Sequence, residues 1–166
     1  MATLQKIVPN LWFNGNAEEA VNFYMTVFKQ ASISSRTYYT KAGYEIHKKP
    51  EGTVLTIEFK IEGQEFVALN AGDEFKFSES ISFIVNCETQ EEIDFYWNKL
   101  TPGGDPAAQV CGWLKDKFGV SWQIVPTEMQ ELMKSGESEK INRMLSAMFQ
   151  MKKLELKKLK DAYNRS

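Results

Sequence analysis

Apolar and polar residues repeat with two different periods along the chain, and the changes of period divide it into short elements. Residues 6–13, KIVPNLWF, are apolar and aromatic-rich and end at the turn-prone NGN, which predicts a strand. From Asn16 onward, NAEEAVNFYMTVF places apolar residues at helical spacing, and Glu18 and Glu19 fall in a first turn, where the helix dipole favours acids. The chain therefore opens with a strand and an amphipathic helix whose N-cap is Asn16.

Three further strands are predicted in the first part of the chain. SISSRTYYT, TVLTIEFKI and QEFVALN are rich in β-branched and aromatic residues and are separated by glycine-containing turns. The last two form a hairpin through Glu62 and Gly63. Residues 6–74 thus constitute a first module of the type βαβββ.

The same order begins again in the second half of the chain. SISFIVN, residues 80–86, alternates as a strand, and TQEEIDFYWNKL has the helical period, with Thr89 or Cys87 near its cap. EEAVNFY at 18–24 matches EEIDFYW at 91–97. An internal repeat indicates duplicated supersecondary structure.

A second pair of similar segments extends the repeat. The turn and strand EGQEFVAL parallels FGVSWQIV, which predicts a second, shorter module over residues 79–126. Beyond Pro126 strand character disappears, and helices are expected over residues 127–164. The whole chain, 1–166, is expected to form a single domain of two modules and this extension.

One helix of the extension carries an apolar stripe. Its residues are Ile141, Met144, Leu145, Met148 and Phe149. A methionine stripe at helical spacing is ordinary adaptable core, although a cofactor or peptide groove is the alternative. The lysines of KKLELKKLKDAY form a solvated helix face or a weak basic patch.

The composition of the chain argues against nucleic acid and membranes as partners. The chain has 166 residues, of which 43% are hydrophobic, with a formal net charge of −2. A mildly acidic chain has no general attraction for nucleic acid or for an anionic membrane. No apolar run is long enough to span a bilayer, and MATLQKIVPN lacks the apolar core of a signal peptide, so a cytoplasmic location is expected.

The residues with reactive side chains are few. Cys87 and Cys111 match neither a disulfide framework nor a CxxC motif, so buried thiols are expected, with a reactive Cys111 as the alternative. His47, the only histidine, lies in YEIHKKPEG and is interpreted as a surface or loop-packing residue. General acid–base work is its alternative role.

Four segments together resemble a known family. They are LWFNGNAEEAVNFY at 11–24, TQEEIDFYWNKL at 89–100, CGWLKDKFGVSWQIVP at 111–126 and AMFQMKKLEL at 147–156. They are similar to the vicinal oxygen chelate superfamily of glyoxalases and bleomycin-resistance proteins. The closer similarity is to its PhnB-like branch, labelled 3-demethylubiquinone-9 3-methyltransferase-like. The resemblance implies an α+β fold in which paired βαβββ modules form a partly open barrel with a concave cleft, followed by a C-terminal helical extension.

The resemblance also implies where metal ligands would lie. Metalloenzymes of the superfamily place histidine on the opening strand of a module and a carboxylate near the end, and the corresponding positions here hold Asn10, Ser80 and Gln123. The remaining position falls within 66–70, which contains neither an acid nor a histidine. Amides and hydroxyls are weak ligands for zinc, nickel or iron, so no metal and no cofactor are expected.

The methyltransferase label gains no support from the residues. A Rossmann-type methyltransferase has a glycine-rich loop between its first strand and helix, whereas LWFNGNAEE has one glycine. The label is therefore interpreted as a family name.

Strand alternation and the family resemblance together predict the cleft residues. If Trp122 and Ile124 pack beneath a helix, then Ser121, Gln123 and Val125 point into the cleft. The expected ligand-binding residues are Asn10, Trp12, Asn70, Ser80, Ser82, Ser121 and Gln123. The alternative is that these polar side chains satisfy one another or line a dimer seam.

Three functions follow from these features. The first is a small-molecule binding protein with a metal-free concave cleft. The second is a PhnB-like enzyme of unknown reaction that uses Cys111, His47, Tyr38 or Tyr39. The third is an assembly module that uses the C-terminal helix, and a homodimer is expected in which this helix covers a sheet or contacts the partner.

Overall fold

The computed structural model describes residues 5–165. They divide into two compact units, with the boundary between Lys76 and Phe77. None of the helices within 5–165 has the length and apolar character needed to cross a membrane.

The first unit is a four-stranded sheet with a helix on one face. Its strand order is β1-β4-β3-β2, in which β1 and β4 run parallel and the other neighbours run antiparallel. In chain order its elements are β1 (Asn10–Phe13), α1 (Ala17–Val27), β2 (Ala31–Tyr38), α2 (Tyr44–His47), β3 (Val54–Ile61) and β4 (Gln64–Asn70).

The core of this unit lies between α1 and the sheet. Tyr24 of α1 is fully buried and stacks on Phe59 of β3, with ring centroids 6.4 Å apart. The β3–β4 hairpin turns at Glu62 and Gly63, whose φ values of 46° and 85° are those of a left-handed two-residue turn. Asn16 precedes α1, but its side chain makes no capping hydrogen bond.

The second unit is a three-stranded sheet followed by helices. The order is β5-β7-β6, with β5 and β7 parallel and β6 antiparallel to β7. Its elements are β5 (Phe83–Cys87), α3 (Gln90–Leu100), a 3₁₀ helix (Pro106–Ala108), β6 (Trp113–Lys115), β7 (Ser121–Pro126), α4 (Thr127–Met133), α5 (Ser138–Met148) and α6 (Leu156–Asn164).

The start of α3 and the turn before β7 are fixed by side chains. Thr89 caps α3, because its hydroxyl accepts a hydrogen bond from the Glu92 amide at 3.2 Å. The Asp116 carboxylate is buried and accepts hydrogen bonds from the Val120 amide at 3.1 Å and the Trp122 indole at 2.9 Å. This carboxylate therefore orients Trp122 and so the two faces of β7.

The C-terminal helices have a core of their own. They are attached to the second sheet by a short strap, residues 151–152, which is hydrogen-bonded to the turn before β6. Met144, Leu154, Leu159 and Tyr163 are buried together. In the strap, the Cys111 amide donates to the Met151 carbonyl at 2.8 Å and the Gly112 amide to the Lys152 carbonyl at 2.7 Å. A Cβ added at Gly112 would lie 2.9 Å from the Ile124 carbonyl oxygen of β7. The close approach of residue 112 to β7 therefore requires glycine at this position.

The predicted fold class is confirmed: the protein is α+β, with two modules related to βαβββ and C-terminal helices. Two details differ from the prediction. The first strand begins at Asn10, because Pro9 has no amide hydrogen to donate to a neighbouring strand. The second module has three strands, since a 3₁₀ helix and turns lie between α3 and β6 where the first module has an extended β2.

Candidate functional site

Strand β7 presents two different faces. Trp122 and Ile124 are buried in the core with α3, as alternation predicts. Gln123 is half-buried and pairs in register with Ile84 on β5 and Trp113 on β6. Register partners share a sheet face, so these three side chains lie together on the face opposite α3.

A pocket of about 600 Å³ lies on this face. Its floor comes from the three strands, and its walls come from the turn before β6 and from α4 and α5. It is lined by Ile84, Asn86, Val110, Cys111, Trp113, Gln123, Val125, Met129, Gln130, Met148 and Phe149. None of these eleven residues carries a formal charge, so the pocket is apolar with a few amide groups.

The side-chain amides in the pocket use only some of their hydrogen-bonding groups within the chain. Gln123 donates from Nε2 to the Ser82 hydroxyl at 2.9 Å, and Gln130 donates from Nε2 to Asn86 Oδ1 at 2.7 Å. Within residues 5–165, no hydrogen bond is made by Gln123 Oε1 or by Asn86 Nδ2. The pocket therefore offers one carbonyl acceptor and one amide donor to a ligand.

Two further predicted residues lie on or near the second sheet. Ser121 is 2% exposed, and its hydroxyl has no hydrogen-bond partner in the described part of the chain. Ser121 lies two residues from Gln123 on the same strand and therefore on the same face. Ser80 precedes β5, is exposed and hydrogen-bonds Ser78 at 2.7 Å.

The other predicted residues lie in the first unit. Asn70 is buried, and its amide accepts from the Ala17 amide at 3.3 Å and donates to the Val54 carbonyl at 3.0 Å. It therefore links α1 to β3 and β4. The Trp12 indole donates to the Gly72 carbonyl at 2.9 Å, whereas Asn10 is exposed. That all seven residues share one cleft stays a prediction.

Sequence reasoning missed much of the pocket lining. Asn86, Val110 and Trp113 line it but were not among the expected ligand-binding residues. Alternation along β5 would have placed Asn86 on the face of Ser82, which was the available signal. The wall residues of α4 and α5 had no such signal, because the return of those helices to the sheet is a tertiary feature.

The thiols of Cys87 and Cys111 differ in their exposure to solvent. Cys87 is fully buried, and burial, together with the nearby Glu92 carboxylate, raises the pKa of its thiol from 9.0 to about 12. Cys111 is partly exposed and lines the pocket, and its backbone has a φ of 51°. Cys111 is thus the thiol available to a reagent in solution.

His47 makes local contacts. Its Nε2 lies 3.1 Å from the Ala42 carbonyl, its Nδ1 accepts from the Lys49 amide at 3.0 Å, and its ring packs on Tyr39 with centroids 4.5 Å apart. Both ring nitrogens are engaged with backbone, which matches the loop-packing interpretation.

The donor set of the pocket does not fit a transition metal ion. Across residues 5–165, no three His, Cys, Asp or Glu side chains come together as potential ligands. Gln123, at the position that the family resemblance equates with a carboxylate ligand, is hydrogen-bonded to Ser82. Amide and hydroxyl oxygens are poor ligands for zinc, nickel or iron.

Comparisons with known proteins agree with this architecture. The 3-demethylubiquinone-9 3-methyltransferase family profile matches residues 5–125. A PhnB protein from Bacillus cereus is 40% identical over 74% of this chain and 99% of its own, with a TM-score of 0.62. A Pseudomonas aeruginosa protein is 22% identical over 75% of this chain and 98% of its own, with a TM-score of 0.51, which supports the fold alone. No curated protein matches the sequence.

Proposed function

The chain belongs to the 3-demethylubiquinone-9 3-methyltransferase family, the PhnB-like family expected from its motifs, and from this premise we propose that it binds an uncharged small molecule. The family name is not carried over as an activity. Methyltransferases of the Rossmann type use a doubly wound parallel sheet, whereas the two sheets here each contain a single parallel pair of strands.

The observation that carries the proposal is the uncharged lining of the pocket on the second sheet. At about 600 Å³ it has the volume of a small-molecule site. An ionic ligand would lose its hydration there without meeting an opposite charge, which is costly. An uncharged ligand avoids that cost.

The free amide groups indicate which ligand atoms are recognised. Gln123 Oε1 accepts a hydrogen bond and Asn86 Nδ2 donates one. A ligand with one donor and one acceptor, such as an amide, a lactam or a hydroxyketone, satisfies both groups. A hydrocarbon leaves both unsatisfied and binds more weakly.

The remaining predicted ligand-binding residues belong to the same proposal. We expect Ser80, Ser82 and Ser121 to contribute to ligand binding by the second module, residues 79–126, and Asn10 and Trp12 to contribute to ligand binding by the first module, residues 6–74. Asn70 then acts as a positioning residue, since its amide is bonded to backbone. We propose a cytoplasmic location for the protein.

We further propose that the protein is a homodimer. The apolar stripe of α5 is partly accounted for inside the chain, because Met144 is buried against the other C-terminal helices. Phe149 remains 63% exposed and Val110 50% exposed at the rim of the pocket. Exposed apolar side chains that lie close together favour contact with a second copy.

An enzyme of unknown reaction is the alternative function, and one observation favours it. Cys111 lines the pocket, so a bound ligand lies near a thiol. No imidazole is among the pocket residues to act as its base. Binding is therefore the function that the geometry supports best.

A thermal-shift screen with matched compound pairs tests the proposal. Nicotinamide and nicotinate, and similar amide and acid pairs, are compared in buffer containing EDTA. We expect the uncharged member of each pair to raise the melting temperature more, with no effect of the chelator. Stabilisation by the acids alone, or only after addition of zinc, nickel or iron, would contradict the proposal.

A further inference from the structure

We propose that the C-terminal extension, residues 127–164, selects ligands with a planar aromatic ring by supplying the apolar wall of the pocket through Met129, Met148 and Phe149. This inference rests on the proposed function and adds the class of ligand. It also assigns a specific role to a part of the chain that the family profile does not cover.

The apolar wall of the pocket comes from the C-terminal extension. Four of the eleven lining residues belong to α4, to the end of α5 or to the residue directly after α5: Met129, Gln130, Met148 and Phe149. The family profile ends at residue 125. The match to the Bacillus cereus protein spans 99% of that chain but only 74% of this one. The wall residues therefore lie outside the part of the chain that the family profile covers.

Hydrogen bonds to the chain after α5 hold the wall in place. Phe149 directly follows α5 and stands two residues before Met151, whose carbonyl accepts the Cys111 amide at 2.8 Å. Gln90 of α3 donates to the Leu154 carbonyl at 3.2 Å and accepts from the Leu156 amide at 2.7 Å. These bonds fix the segment after α5 against the sheet, so the wall position is defined by more than apolar contact.

The side chains of the wall and of Trp113 on the pocket floor are suited to contact with aromatic rings. Trp113 and Phe149 both line the pocket, and neither ring contacts another aromatic ring of residues 5–165. Met129 and Met148 add thioether side chains, which adapt to a ligand surface and make favourable contacts with rings. Two unpaired aromatic rings and two methionines around one pocket favour a planar ring over an aliphatic chain.

The experiment uses the full-length protein and N-phenyl-1-naphthylamine, an uncharged fluorescent probe with two ring systems. The variants are Phe149→Ala, Phe149→Leu and, as the matched control, Phe95→Ala. Phe95 lies on α3 and is partly exposed, and it is not a pocket residue. Circular dichroism melting of each variant confirms that it is folded.

We expect Phe149→Ala to weaken probe binding about tenfold, which corresponds to the loss of one ring contact. Phe149→Leu keeps apolar area but loses the ring, so we expect about a threefold loss. Phe95→Ala is expected to bind like the unmodified protein. In competition against the probe, 1-naphthol should displace it at lower concentration than 1-decalol, which has the same hydroxyl on a saturated ring system.

The outcomes separate this inference from the proposed function. Saturable binding that Phe149→Ala leaves unchanged, or equal competition by the two alcohols, overturns the role of the extension while the binding function stands. Absence of saturable binding by the probe and by every uncharged compound of the matched pairs overturns both.

Discussion

Gln123 is the residue on which the site depends, because it occupies the position that the family resemblance equates with a carboxylate ligand, and its side chain is hydrogen-bonded to Ser82. A glutamine between two buried strand residues makes sense once its side chain is seen to form part of a pocket floor. Its amide supplies both a donor and an acceptor without bringing a charge into the pocket.

Replacing Gln123→Glu tests this interpretation. The carboxylate would be half-buried among uncharged groups, so we expect the free energy of unfolding at neutral pH to fall by about 1–3 kcal/mol. We also expect no stoichiometric zinc, nickel or iron by elemental analysis. Gln64→Glu, on an exposed hairpin residue, is the matched control and should change stability little. Equal stability of the two variants, or one metal ion per chain in Gln123→Glu, would contradict an uncharged pocket floor that lacks metal ligands.

The Cys87 thiol predicts a pH effect. Its pKa is raised to about 12, chiefly by burial, so the folded protein holds this proton after the unfolded chain has released it near 9. Between these values the unfolded state binds fewer protons, and stability falls as pH rises, at about 1.4 kcal/mol per pH unit for this group. Below pH 9 the contribution is constant.

The comparison of Cys87→Ala with the unmodified protein isolates this group. We expect the variant to be less stable at pH 8 and to lose less stability between pH 9 and 11, as measured by urea unfolding. Parallel pH profiles for the two proteins would rule out the thiol as a cause of the alkaline loss.

At the scale of elements, the attachment of the C-terminal helices to α3 is the feature with the most consequences. Gln90 bonds the backbone of the segment before α6, and it also donates to Asp94 at 3.0 Å. Lys153, hydrogen-bonded to Asp94 at 2.6 Å, together with Gln90 lowers the pKa of that carboxyl. Residues of α3 thereby hold the segment that follows the pocket wall.

Removing this attachment should loosen the wall. We expect Gln90→Ala to lower the free energy of unfolding by about 1–3 kcal/mol, since backbone groups near Leu154 and Leu156 lose their partners. Hydrogen exchange should speed up in α5 and α6 more than in β7. Gln64→Ala removes a glutamine that bonds only an adjacent exposed carbonyl and serves as the control. Uniform exchange across the second unit would contradict a local attachment.

The elements show how far sequence reasoning reaches. The repeat of EEAVNFY and EEIDFYW predicted α1 and α3, because each sits between a strand and a turn and has its own amphipathic period. The Glu62–Gly63 hairpin followed from residues that tolerate a left-handed backbone. Strand ends were less accurate, as in β1, where proline and edge position limit hydrogen bonding.

The pocket could be predicted only in part. Alternation placed Gln123 opposite Trp122 correctly, since strand geometry is local. The partners of Asn70 could not be inferred, because they come from residues 16 and 53 positions away in the sequence. Likewise Met148 and Phe149 were recognised as an apolar stripe, but their place in the pocket wall depends on the strap at Cys111.

At the scale of the whole molecule, assembly is the property that the exposed apolar residues predict. We expect sedimentation equilibrium at micromolar concentrations to give a mass of two chains. Phe149→Glu should shift the protein toward the monomer, because a carboxylate would be buried in the contact, whereas Phe75→Glu, at a similarly exposed ring of the first unit, should not. A monomeric mass for the unmodified protein across this range would contradict the dimer.

The central claim is that an uncharged ligand occupies the pocket on the second sheet, and Cys111 reports on it directly. The measurement is the rate at which N-ethylmaleimide modifies each thiol, followed by mass spectrometry, with and without saturating 1-naphthol in the presence of EDTA. Cys111 lines the pocket, whereas Cys87 is fully buried and serves as the internal control. We predict that Cys111 reacts in the free protein, that 1-naphthol slows its reaction at least about tenfold because the ligand covers the thiol, and that Cys87 stays unmodified. Saturable binding of 1-naphthol with an unchanged rate at Cys111 would place the ligand elsewhere and contradict the account.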